Sequence, residues 1–128
     1  MQNITKYEVI EFTAAVMNAS FTTAKTVIPA QGADSVIWVK SAKLTYKAES
    51  GSAVVGGNAT TLKVNGSTIC SQDFNGLTAS KMYHKGNSLT ELTSTHVNQP
   101  VTIQTATANP TFYGSVEVLV EYEVLDFA

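Results

Sequence analysis

Histidine and carboxylate side chains carry most of the chemical capacity of this chain, and their spacing decides what they can do with it. The two histidines, His84 and His96, are separated by irregular sequence with no acidic neighbour at ligand spacing. A zinc centre needs about three or four ligands, usually including a closely spaced pair, so both read as structural or solvated side chains. Glu117, Glu121 and Glu123 invite comparison with the paired carboxylates of glycosidic cleavage. Their spacing on a regular strand places them instead in an exposed ladder. Asp34, Asp73 and Asp126 are scattered and do not make the dense Asp/Asn/Gly loop of a calcium site; Asp34 reads as a turn residue. The run from Gly51 to Gly57 lacks the Lys-Ser/Thr and the helix of a phosphate loop, and no Gly-x-Ser-x-Gly elbow is present. Cys70 is the single cysteine, which excludes an intrachain disulfide. Set within the apolar run Ser67–Ser71, it reads as a small buried thiol rather than a nucleophile. The sequence nominates no catalytic residue, no cofactor and no metal ligand, and the expected class is non-enzymatic.

The elements that would carry these residues are strands. At the end of the chain Val116, Val118, Val120, Tyr122 and Val124 alternate with Glu117, Leu119, Glu121 and Glu123. An apolar row opposite a carboxylate row is what a half-buried strand requires, whereas a helix would scatter the glutamates around its circumference. Val36–Lys47 is a second strong strand in which Ile37 and Val39 share one parity, and Ala42, Leu44 and Tyr46 the other. A β-bulge near Lys40 and Ser41 would produce that slip; a strand start buried on both faces is the alternative. Thr60–Val64 and Ser67–Ser71 flank Asn65-Gly66, the signal of a two-residue type I′ hairpin, with Val64 expected opposite Ser67 and Leu62 opposite Ile69. Tyr7–Phe12, Phe21–Ile28 and Val101–Thr105 complete the evident strands, and Ala53–Val55 reads as a brief one between loops. Tyr7, Ile10, Ala14 and Met17 also fit helical spacing, but the β-branched and aromatic content favours a strand. The span from Phe74 to Val97 is the least regular, with a capping-box pattern at Ser88–Glu91. Short strands joined by Gly/Asn/Pro turns, without alternating helices, predict an all-β antiparallel sandwich of about eight strands. One domain over residues 1–128 is expected from the length of 128 residues.

Charge separates this chain from ordinary soluble domains. Only 14% of its residues are charged, against about 25% typically, and every basic residue is lysine. The net charge of −2 gives no reason to expect nucleic acid, which calls for clustered Lys and Arg. No apolar run approaches the roughly 20 residues that span a bilayer, so no membrane partner is expected. The first residues lack the apolar core of a secretory signal, which predicts synthesis in a cytoplasm. The four Asn-x-Ser/Thr sequons, at Asn3, Asn18, Asn58 and Asn65, are accordingly read as unglycosylated. Low charge with abundant hydroxyls suits a surface covered by copies of the same chain or by partners; it equally suits Ser and Thr clothing exposed strand faces.

Aromatic residues are the remaining candidates for recognition. Trp38, Tyr46, Tyr83, Phe112 and Tyr113 could form a sugar-stacking platform. Tyr46 lies within a strand pattern and is better spent on the core. Trp38 lies within one too and reads as a core or interface residue. Phe112 and Tyr113 follow Pro110 in what reads as a turn and are hard to bury there, so Trp38, Phe112 and Tyr113 are the expected contacts with another chain.

Two segments carry a family likeness. Thr26–Tyr46 places the turn residues Pro29 and Gly32 before a long strand ending in Tyr46. Asn98–Val124 runs from Asn98 and Pro100 through a Thr-rich strand and Gly114 to an alternating last strand with Tyr122. Together they resemble small structural proteins of tailed bacteriophages, although Phe112 and Tyr113 stand where such proteins more usually have small glycine-containing turns. The resemblance implies a jelly-roll-like sandwich that self-associates as a homo-oligomer, often a trimer. It also implies residence in the virion, on the major capsid protein as a head decoration, in a head fibre or at the tail, after synthesis in the bacterial cytoplasm. It brings no catalytic residues. A carbohydrate- or receptor-binding module of a tail or fibre on the same scaffold is the alternative expectation. Strand order is open at this point, jelly-roll and immunoglobulin-like orders being equally compatible with the pattern.

Overall fold

A computed structural model describes residues 4–57, 59–86 and 91–127. Among them eight strands form: β1 (Lys6–Phe12), β2 (Lys25–Ile28), β3 (Ser35–Ala48), β4 (Thr60–Val64), β5 (Ser67–Gln72), β6 (Lys81–Lys85), β7 (Val101–Gln104) and β8 (Gly114–Asp126). They make two four-stranded sheets, ordered β1-β8-β3-β6 and β2-β7-β4-β5. All pairings are antiparallel: β1 with β8, β2 with β7, β3 with β6 and β4 with β5. First meets last, second meets second-last, and so inward to the β4–β5 turn. The chain is thus a double ribbon rolled so that successive rungs fall in opposite sheets, which is the jelly-roll order. This separates it from the immunoglobulin-like alternative that the sequence left open.

The period-2 rows behave as their residue types dictate. Val116, Val118 and Val120 are fully buried and Tyr122 nearly so, while Glu117, Leu119, Glu121 and Glu123 lie half-buried on the outer face. β8 sits between β1 and β3 and ties the first sheet together. The slip in β3 is a bulge: Val39 pairs with Tyr122 and Ser41 with Glu121, leaving Lys40 as the extra residue. Val36 and Ile37 are each 1% exposed, so the start of β3 is also covered on both faces.

The hairpin turn has Asn65 at φ 39° and Gly66 at φ 82°, the left-handed pair that a type I′ turn requires. Its register differs from the sequence reading by one residue. Val64 does face Ser67, but Leu62 faces Cys70 rather than Ile69, because a bulge intervenes between Leu62 and Lys63. Ile69 and Cys70 are then both buried, as neighbours are when alternation breaks.

β1 is a strand, and the helical spacing of Ala14 and Met17 belongs to a separate turn, α1 (Ala14–Asn18), capped by Thr13. β2 starts at Lys25, not Phe21. Ser20 Oγ donates to Met17 O at 2.7 Å and Thr22 Oγ1 to Ala19 O at 3.1 Å, local bonds that compete with the ladder. The capping-box pattern beginning at Ser88 lies outside the described residues. A capped 3₁₀ turn occurs further on at Ser94–His96, where Thr93 N donates to His96 Nδ1 at 2.9 Å.

Both sheets press their inner rows into one core, in which Tyr46, Phe74 and Phe112 meet with ring centroids 6.2–6.3 Å apart. This corrects the surface role expected of Phe112, which is 2% exposed. The chain before β8 is held in against the core: Thr111 bridges Val55, and Phe112 N donates to Asn18 Oδ1 at 2.6 Å. Phe112 therefore continues the inward row of Val116 and Val118.

Candidate functional site

The residues that could do chemistry are kept apart by this architecture. His84 is exposed on β6, whereas His96 is buried. Because Thr93 N donates to His96 Nδ1, the ring's hydrogen lies on Nε2, 2.9 Å from Ser67 Oγ. That arrangement clips the 3₁₀ turn to β5. Among the described residues no group of three or more His, Cys, Asp or Glu could hold a metal ion. Cys70 is buried.

The glutamates of β8 are each engaged with a neighbouring strand rather than with one another. Glu117 Oε2 lies 2.9 Å from Lys47 Nζ, which also meets Glu11 Oε1 at 2.8 Å. This raises the Lys47 pKa well above its ordinary value, chiefly through the hydrogen bonds to Glu11 and then Glu117. Glu121 accepts from Tyr7 Oη at 2.9 Å and Ser41 Oγ at 3.3 Å, and Glu123 lies 3.4 Å from Lys40 Nζ. Carboxylates stitched individually across β1, β8 and β3 hold the sheet's outer face in place.

Of the expected contact residues, Tyr113 is 38% exposed and Trp38 half-buried. They lie at opposite ends of the β3–β8 pair: Trp38 pairs with Glu123, while Tyr113 immediately precedes Gly114. At about 3.4 Å per residue this is roughly 30 Å, so the structure does not bring them into one patch. Tyr83 packs edge-on against Phe74 and donates to Asp73 O at 3.0 Å.

The larger apolar exposure is elsewhere, on β1 and the residues just before it. Ile4 is 70% exposed, Tyr7 64% and Val9 57%. Val9 pairs with Leu119, and Leu119 with Lys43, both half-buried, so the outer row runs inward from this exposed edge. The residues of β1 mark it as a strand but not as an edge. The signal was Tyr7 and Val9 alternating with Ile10 and Phe12, an apolar residue on each face of one strand.

The second sheet offers a different surface. An open cavity of about 210 Å³ is lined by Phe21, Thr61, Lys63 and Gln104, with Ala59, Thr105 and Ala106 around them. Lys63 Nζ donates to Gln104 Oε1 at 2.8 Å, and Gln104 Nε2 donates to Phe21 O at 2.8 Å.

No protein-family model and no curated protein matches the chain. Solved structures similar to it include a chain of the cyanophage Pam1 capsid asymmetric unit, at 22% identity and TM-score 0.49, covering 94% of this chain and 85% of that one. Dimeric latent PorU from Porphyromonas gingivalis is 18% identical at TM-score 0.46, over 94% of this chain and 13% of that one. A chain of the disulfide-linked pili that form Bacillus endospore appendages is 16% identical at TM-score 0.40, over 95% and 90%. At these values the likenesses assign neither a family nor a role.

Proposed function

We propose that this chain is a non-enzymatic structural protein of a tailed-bacteriophage virion, a head decoration or head-fibre component that self-associates and docks on the particle. The observation that carries the reading is the rolled strand order with β1 at a sheet edge, where Tyr7 and Val9, and Ile4 two residues before the strand, lie outside the core. A sandwich of this kind works by apolar burial and strand-edge pairing, and needs no reactive group. The resemblance of Thr26–Tyr46 and Asn98–Val124 to small phage structural proteins supports the same role. The partners are then further copies of the chain and the major capsid protein.

The test is binding to particles. Virions of the encoding phage are labelled with gold-conjugated antibody against the purified chain and imaged. Regular labelling of the head supports the role, and virions that carry no label overturn it.

A second reading, a carbohydrate- or receptor-binding module, is favoured by the cavity beside Phe21, where a half-exposed ring adjoins the amide of Gln104 and the ammonium of Lys63. Glycan-array binding that is lost in Phe21→Ala would support this reading over simple decoration.

A further inference from the structure

Among the described residues the sandwich has four strand edges, and three carry devices that discourage pairing with another chain. β6 has Lys81 and Lys85 at its ends. β2 has only four residues, with Pro29 directly after it, and β5 is bulged. Lysines, short length, proline and bulges all blunt an edge. β1 has none of the last three: it runs for seven residues in unbroken register with β8, without glycine or proline. Among the described residues no strand covers its other side. It does carry charges, and their order decides what can pair with it.

Resting on the reading that the chain self-associates, we propose that β1 pairs antiparallel with β1 of a second copy about a two-fold axis at Tyr7, joining two four-stranded sheets into one of eight. Directly opposed residues in an antiparallel pair share a face, so a continuous sheet allows only registers that set odd residues against odd. An axis at Lys6 opposes two lysines, and one at Glu8 opposes two glutamates. An axis at Val9 sets Lys6 against Phe12 and Glu8 against Ile10. The axis at Tyr7 alone opposes Lys6 to Glu8 twice, once in each direction, and Ile4 to Ile10 twice. Tyr7 then meets its own copy, and Val9 meets Thr5. Among the described residues neither Lys6 nor Glu8 forms an ion pair within its own chain, so both remain for the partner. An isologous contact requires this reciprocity, and the exposure of Ile4, Tyr7 and Val9 falls within the paired span.

The test combines a cross-link with a charge exchange. Opposed Cα atoms in an antiparallel pair lie about 4.5 or 5.5 Å apart, within the roughly 4.4–6.8 Å range of a disulfide. Tyr7→Cys should therefore give a covalent dimer on mild oxidation, with Cys70 buried and out of the reaction. Lys6→Glu and Glu8→Lys should each weaken dimerisation at least tenfold, and the double exchange should restore it. An oligomer that persists without the cross-link, and ignores both charge changes, overturns the β1 pairing while leaving self-association standing. A chain that is monomeric throughout overturns both.

Discussion

Tyr7 and Glu121 face each other across β1 and β8, and the phenol donates to the carboxylate at 2.9 Å. The bond joins an edge strand to the inner strand beside it, on the outer surface where no core packing helps. It also ties the fold to pH. The Tyr7 pKa is raised, first by the hydrogen bond to Glu121 and then by that carboxylate's charge. Tyr46 and Tyr122 are raised chiefly by burial.

A group that holds its proton more tightly when folded stabilises the fold fully below its unfolded value. That contribution is lost as pH rises through the folded value. For these three tyrosines the window opens at about pH 10. The melting temperature should hold up to about pH 9 and fall above about pH 10, with phenolate absorbance appearing later than in unfolded chain. Tyr7→Phe should reduce the alkaline drop. Thermal melts across this range check both effects, and an undiminished melting temperature well above pH 10 contradicts them.

Phe112 and Tyr113 are adjacent but should respond oppositely to truncation. Phe112→Ala empties a site among Tyr46 and Phe74 and should cost about 3–5 kcal/mol. Tyr113→Ala should cost under about 1 kcal/mol. Urea unfolding of the two variants reads the difference directly.

Gly114 and Gly66 are required for separate reasons. A Cβ at Gly114 would overlap Lys47 O and lie 2.9 Å from Ala48 Cα, backbone atoms that cannot move aside. Gly114→Ala should destabilise by about 2–3 kcal/mol or more. At Gly66 a Cβ meets nothing within 4 Å, so Gly66→Ala tests only the left-handed backbone and should cost about 1 kcal/mol. Equal losses in denaturant unfolding would contradict this distinction.

Local features of the fold are legible in the residues themselves. The alternation in β8, the bulge at Lys40 and the Asn65-Gly66 turn are of this kind, set by side-chain periodicity and backbone sterics. Phe112 is legible in principle, since it is in phase with Val116, but Pro110 and Gly114 on either side of it suggest a turn. The shifted partner of Leu62 is not legible, because a bulge at Ile69 inside the six-residue β5 leaves two neighbouring apolar residues and no pattern. β6 escapes sequence reasoning because only Tyr83 of its five residues turns toward the core. Strand order, and with it the edge position of β1, depends on contacts distant in sequence that no local pattern encodes.

Self-association is the claim on which the proposed role rests, and light scattering coupled to size exclusion measures it most directly. Over micromolar concentrations the account predicts a folded species whose mass is an integral multiple of the 13.6 kDa chain and falls on dilution. A folded species that stays at 13.6 kDa at every concentration would contradict it.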